Sequence, residues 1–483
     1  MRCRSAVTDF PPAADGYPPI RFRNSLISPF DIRKRFDMEQ PLNNNHSSLI
    51  INSTQAQVPI IICPDCDLVV EDHTIPEGYR LRCPRCLTTL AAPKKNSLIR
   101  TAALSLTTLL LFIPAHFNPL LTFDVMGIRQ SGSLFDSLVE LSHHGAHPVA
   151  LVALITALIL PLCNPALLLT ISLLIISERK KHLAIFFLRL HHHLQEWSMT
   201  EIFLIAILIT IVKMYNSTVI QYDNGLFFYI CFTALNIHLA LSFDQAYYWR
   251  RLTGSQPIFL PDLHGNTSLN AREFNLALCR VCRTSFELNA TKPHPEHCPA
   301  CSAVFHPRTP NSFSRTLALI LSAIIFAFPA NFLPVMEVRH LGNPELSTIM
   351  DGIIYFFKNG SLGIGLIIFI ASILVPLFKI LGMLIILHAV HYRIETGRRR
   401  KTLMLRFIGF IGRWSMLDIF IIALMCSLAD FRPLSFFIPQ EGTLYFCAVV
   451  TLTMMAANSF DSRLLWDPAP HLNGPRHGST TDI

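Results

Sequence analysis

Two stretches decide how this chain is read: EWSMTEIFLIAILI at residues 196–209 and RWSMLDIFIIALMC at residues 413–426. Each joins a Trp-Ser-Met turn, one carboxylate and a long apolar run. They are near copies 217 residues apart, and the likeness extends outward on both sides. RTAALSL at Arg100 recurs as RTLALIL at Arg315, and FIPAHFNPLL at Phe112 as AFPANFLPVM at Ala327. Asp136, Gly145 and Pro161 recur as Asp351, Gly360 and Pro376, and LSFDQAYYW at Leu241 as NSFDSRLLW at Asn458. A nearly constant offset over so much chain is the signature of an internal duplication.

The apolar runs set the class. The 483 residues are 51% hydrophobic and 15% charged, against about 25% charged in soluble domains. Four apolar segments are expected in each copy, at 98–118, 147–177, 197–215 and 225–246, then 315–336, 361–391, 411–430 and 442–460. Each approaches or exceeds the ~20 residues that cross a bilayer as helix. Pro161 and Pro376 predict a kink or tilt in the second span of each copy. Basic residues gather before the first span (Lys94, Lys95, Arg100), after the second (Arg179, Lys180, Lys181; Arg393 and 398–401) and after the fourth (Arg250, Arg251). The positive-inside rule turns those ends, and both termini, toward the cytoplasm. An even number of spans per copy makes the repeats parallel.

Ahead of each set of spans stand two Cys-x-x-Cys pairs. Cys63, Cys66, Cys83 and Cys86 have sixteen residues between the pairs, and Cys279, Cys282, Cys298 and Cys301 have fifteen. Two knuckles that each offer two thiolates complete a tetrahedron, which is the spacing of a zinc ribbon. Two structural Zn2+ ions are therefore expected. Rubredoxin-type iron and redox disulfides are the alternatives, the latter disfavoured on a reducing cytoplasmic side. The fold class expected is an α-helical polytopic membrane protein with two tandem four-helix transmembrane modules, each preceded by a small cytoplasmic zinc ribbon. Its boundaries are a disordered tail 1–58, ribbon 59–95, module 96–250, linker 251–274, ribbon 275–308, module 309–466 and a disordered tail 467–483. Residues 1–58 do not read as a signal peptide, and Met38 offers a second start.

Ionisable groups within spans are candidate functional residues. They are Glu201, Asp418, Lys213 and Lys379, with Ser415 and Thr453 as hydroxyl neighbours. Lys379 replaces the Asn164 of the first copy and lies too deep to snorkel, so Asp418, with Ser415 and Thr453, is its expected partner. For Lys213, Glu201 and Asp418, snorkelling to the headgroups is the alternative. The histidines at 191–193 are expected in a loop, and His116, His238 and His388 show no haem-ligand spacing. No phosphate-binding loop, nucleophile elbow or zinc-protease motif occurs, so the chain does not read as an enzyme or carry an ATPase of its own.

FIPAHFNP/FPANFLP after the first span, WSMTEIF/WSMLDIF opening the third, and the duplicated ribbon-plus-four-spans plan resemble the paraquat-inducible protein A family, and within it the lipophilic envelope-spanning tunnel branch. The resemblance covers residues 60–466. It implies a multi-pass protein of the Gram-negative inner membrane, working with a periplasmic MCE-domain tunnel protein to move phospholipids between the two membranes. It does not imply a redox enzyme, and the basic residues, scattered between apolar spans, do not read as a nucleic-acid footprint. It also implies a polar network that couples protons to lipid movement, carried onto Lys379, Ser415, Asp418 and Thr453. In the first copy, Asn216 follows Lys213 where many relatives have an acidic residue. A non-transporting scaffold for the tunnel and a thiol redox sensor remain alternatives.

Overall fold

The computed structural model describes residues 57–467, apart from 73–74, 126, 215–217, 262–269, 289–295, 341–342, 359, 361, 429 and 432–434. Asn216 and the tails expected at 1–58 and 467–483 lie outside the described residues, except 57–58 and 467. Eight helices among the described residues are long and apolar enough to cross a membrane. In the first half they are Ser97–Phe117, His147–Ile176, Lys181–Met214 and Asn224–Ser242; in the second, Ser312–Phe332, Gly365–His391, Arg398–Leu428 and Glu441–Ser459. The shortest has 19 residues, roughly 28 Å at 1.5 Å per residue. This is the build of a multi-pass membrane protein.

The third span of each half differs from expectation. It starts well before the apolar run, so the loops expected at 178–195 and 393–406 are largely helical. In the first half, helix Lys181–Leu194 runs through a 3-10 turn at Gln195–Trp197 into Thr200–Met214. The histidine triplet therefore sits on a helix, with His191 buried. The prolines of the second span act through a wider turn than a simple kink. Proline offers no N–H and its ring crowds the carbonyl four residues back. The helix opens into one π turn just before each proline, Ile155–Ile159 and Ile370–Leu374. There Leu160 N–H donates to Ile155 O, and Val375 N–H to Ile370 O.

Repeated local chemistry fastens each half in the same way. Ser97 Oγ donates to Ser242 O (2.9 Å) and accepts from Asp244 N (3.0 Å), tying the first span to the end of the fourth. Ser312 does the same with Ser459 O and Asp461 N, both at 2.9 Å. Asp136 and Asp351 close capping boxes with Ser133 and Thr348, which satisfies N–H groups that a helix start leaves orphaned. Gly225 and Gly442 begin the fourth spans with N–H bonds to Pro119 O and Pro334 O, each 3.1 Å. A Cβ at either glycine would strike those carbonyls.

On the face away from the cysteines, each half carries a three-stranded antiparallel sheet. One pairs Leu121–Val125 with Ile128–Gly132 and Val219–Tyr222, the other Met336–His340 with Asn343–Ser347 and Ser435–Pro439. On the cysteine face, strand Gln57–Ile62 pairs with Val69–Glu71 on one side and Ile258–Pro261 on the other. The segment read as a linker, 251–274, thus supplies a strand to the first ribbon, and a 3-10 turn at Ala271–Phe274. Leu68 bridges Asn270, and Arg85 donates to Asn270 Oδ1 at 2.8 Å. The two ribbons are joined through this segment.

Candidate metal centres and membrane cavity

Each cysteine pair is built on the same knuckle. The first cysteine's carbonyl accepts from the N–H of the residue after the second cysteine, and its own N–H donates to the carbonyl one residue further on. In the first knuckle these bonds are Asp67 N to Cys63 O, 3.0 Å, and Cys63 N to Leu68 O, 2.9 Å. The residue after the second cysteine takes positive φ in all four: Asp67 55°, Leu87 64°, Arg283 55° and Ser302 56°. The turn therefore aims two sulfurs to one side.

Both tetrads close. Cys63, Cys66, Cys83 and Cys86 are buried with ligand atoms within 4.8 Å of one another, as are Cys279, Cys282, Cys298 and Cys301. The Sγ–Sγ separations are 3.4 Å (Cys63–Cys86), 3.6 Å (Cys66–Cys83), 3.8 Å (Cys279–Cys301) and 3.7 Å (Cys282–Cys298). A tetrahedron with bonds of about 2.3 Å to sulfur has edges of roughly 3.8 Å, so the donor sets fit a tetrahedral thiolate-bound ion. All eight are free cysteines. Crowding alone leaves the thiols in conflict. Hydrogen bonds from Cys63 and Cys66 hold Cys86 far below the ordinary thiol range, while Cys63 and Cys83 push Cys66 far above it. In the second tetrad, Cys279 and Cys282 pull Cys298 down, and Cys279 and Cys298 push Cys282 up. A cation bound by four thiolates would remove that conflict. It would also leave no open coordination position for catalysis.

Between the halves lies a cavity of about 530 Å³. The first half lines it with Asn164, Ser198, Glu201 and Asn236, the second with Lys379, Arg413 and Thr453, among others. Lys379 is fully buried, and its Nζ finds no hydrogen-bond partner among the described residues. Its aliphatic stem lies against Gly412, at the entry to the Trp-Ser-Met turn. The expected Lys379–Asp418 pair does not form. Asp418 lines a second, smaller cavity of about 100 Å³ with Lys213 and Ser372. Its electrostatic neighbour there is Lys213 of the other half. Asp418 lies on another face of the seventh span, beyond the turn against which Lys379 rests, so the two groups look into different spaces. Ser415 is buried, its hydroxyl without a partner among the described residues, and Thr453 Oγ1 donates to Val450 O at 2.9 Å. Lys379, Glu201 and Thr453 thus line one cavity, and Asp418 and Lys213 another.

Ser372 was missed by sequence reasoning. It sits in the π turn of the sixth span, where no simple helical period predicts its direction. The one cue in the sequence, a serine shortly before Pro376, is too common to single it out.

Paired cysteine modules with two sets of four spans around a polar cavity define a duplicated polytopic membrane protein. The family model of the paraquat-inducible protein A family matches residues 98–253 and 313–469, once in each half. The chain belongs to that family. A probable intermembrane transport protein of Haemophilus influenzae is 29% identical over 420 residues, covering 86% of this chain and 97% of the relative. Intermembrane transport protein PqiA of Escherichia coli is 30% identical over 412 residues, 85% and 96% of the two chains. Lipophilic envelope-spanning tunnel protein A of Escherichia coli is 29% identical over 405 residues, 84% and 90%. No solved structure matches the chain. Two of these relatives are named for transport between membranes and the third for a tunnel spanning the envelope, which accords with a protein that is not an enzyme.

Proposed function

We propose that this chain is the inner-membrane component of a Gram-negative phospholipid transport system. It works with a periplasm-spanning MCE-domain tunnel protein, and its ribbons and termini face the cytoplasm. The observation that carries the reading is the cavity between the halves, with the Lys379 ammonium buried inside it. Such a group is costly to keep in a membrane protein and marks a transport path or proton relay by default. The names of the relatives support the envelope role, and the basic loops on the ribbon side support the orientation. Two structural Zn2+ ions fold the ribbons, each held by one cysteine tetrad; domains this small have little core of their own.

Within the membrane, Lys379, Glu201 and Thr453 line one cavity, and Asp418 with Lys213 another. Ser415 lies on the turn between them. We assign them the coupling of proton movement to lipid movement. The test is to purify the full chain from bacterial membranes, identify co-purifying proteins, and analyse the lipids of the complex. An MCE-domain partner with phospholipid enriched over a control membrane protein is expected. A partner without enriched lipid would favour a scaffold. Labile thiols and no bound metal would favour a redox sensor.

A further inference from the structure

The ribbons are seated crosswise. The first ribbon's cysteines share a buried cluster with Met383, Ile386, Ile408, Phe460 and Trp466, all of the second half. Arg406 of the seventh span donates through Nε to Asp65 Oδ2 (2.9 Å) and through Nη2 to Cys86 O (3.0 Å). Arg85 stacks 4.4 Å over the Trp466 ring, while Arg308, the last residue of the second ribbon, pairs with Asp67 of the first at 2.6 Å. The second ribbon's cysteines instead share a cluster with Ile171, Ile175, Leu188, Tyr248 and Trp249 of the first half. Arg189 there donates to Ser302 O, and Gln245 to Val281 O, both at 3.4 Å. Each ribbon also touches its own half: Asp72 pairs with Arg250 at 3.7 Å, and Arg280 reaches Thr309 and, at 3.7 Å, Asp461.

The ribbons also cover the way into the cavity. A recess of about 310 Å³ shares Glu196, Ala457 and Asn458 with the large cavity. Its other walls include Asp65 of the first ribbon, Arg280 of the second, and Arg406. The path from the ribbon side toward Lys379 therefore runs between the two ribbons.

We infer that the paired cysteine modules are a crossed clamp on the ribbon-side mouth of the cavity. A folded first ribbon holds the helices of the second half, a folded second ribbon holds those of the first, and the 251–274 segment, paired to the first ribbon and leading into the second, ties the halves together. The inference rests on the metal reading of the tetrads and is independent of what the cavity carries. Losing the metal from one ribbon frees the opposite half's helix ends and opens the mouth.

The test is hydrogen–deuterium exchange on the full chain in lipid nanodiscs, with metal content measured on the same samples. Cys83→Ser is expected to lose one of the two metals and to speed exchange in residues 398–412 and 462–466, leaving 181–194 as in the parent. Cys298→Ser is expected to give the mirror pattern, with faster exchange in 181–194 and 245–253. Arg406→Ala keeps all eight cysteines. It should retain both metals yet exchange about tenfold faster in 398–412, on the scale of losing a charge-assisted hydrogen bond. Loosening of a ribbon's own half alone, or parent-like exchange after metal loss, overturns the clamp. Should a cysteine variant loosen both halves, Arg406→Ala decides: parent-like exchange with both metals bound also overturns it. Parent chain without metal would instead refute the metal reading.

Discussion

The two halves are alike in scaffold and unlike inside. Both tie the first span to the fourth through a serine, both start a short helix with a capping box, and both open a π turn before the second-span proline. The third spans part company. Residues Leu417–Leu428 are buried at every position except Asp418, because they pack against both the third span and the helix Leu134–His143 of the first half. In the first half, Thr200–Met214 leaves Leu208 and Val212 exposed, as a lipid-facing helix does. A twofold arrangement would have treated both third spans equally. Duplication kept the bonds that make each half fold, while the positions facing the midline diverged: Asn164 against Lys379, Glu201 against Asp418, Asn236 against Thr453.

The largest contrast should come from the first of these pairs. Lys379→Ala and Asp418→Ala are expected to abolish complementation in a strain that depends on this pathway, at unchanged membrane abundance. Asn164→Ala should keep most activity. Lys379→Arg should also fail if the site exchanges protons, since a guanidinium does not release one at usable pH. Full function of Lys379→Ala would remove the functional asymmetry between the halves.

A second contrast concerns the repeated Ser-Phe-Asp. The Asp244 carboxylate caps a helix, accepting from Tyr247 N at 3.1 Å, with the Lys94 charge nearby. Asp461 is buried, accepts from Arg463 Nε and Nη2 at 3.1 Å each, and faces Arg280 and Thr309 N. Asp461→Ala should cost about 3–5 kcal/mol, the usual loss when one partner of a buried pair is removed. Asp244→Ala should cost about 1 kcal/mol. Thermal unfolding in detergent reads both. Burial pushes the Asp461 carboxyl up, but the Arg463 bond and charge, then Arg280, outweigh it and hold the group well below the ordinary range. Its stabilisation is therefore present above the ordinary carboxylate pKa and is lost as pH falls toward the lowered value. Asp461→Asn should flatten the acid limb of stability against pH.

The smallest contrast is a test of sameness. Ser133→Ala and Thr348→Ala each break a capping box, and each should cost about 1 kcal/mol. Equal shifts in unfolding temperature support a shared scaffold. A markedly larger loss at Ser133 would mean that packing of its helix on Leu417–Leu428 depends on the cap.

Much of this was legible because the signals are local. The eight cysteines announced their tetrads by spacing, and the structure brings both sets together. Lys379 stood out as a charge in an apolar run. Its partner did not: a charge in a helix has a direction set by helical phase, and the 3-10 turn at Arg413–Met416 and the π turn at Ile370–Leu374 both shift that phase. The Lys379–Asp418 pairing therefore failed, and Ser372 went unseen. The histidine triplet was misplaced because amphipathic helix Lys181–Leu194 is too polar to read as part of a span.

Composition and spacing alone determined the duplication, the eight spans and the two cysteine tetrads, since insertion and metal ligation depend on runs and intervals within a few tens of residues. Only the tertiary structure decided which ribbon sits on which half and which polar groups meet at the midline. The halves are near copies, so each ribbon has two similar landing sites and chain order favours its own. The choice falls to side-chain pairs far apart in sequence, such as Arg406 and Asp65, 341 residues apart, whose meeting no local pattern encodes.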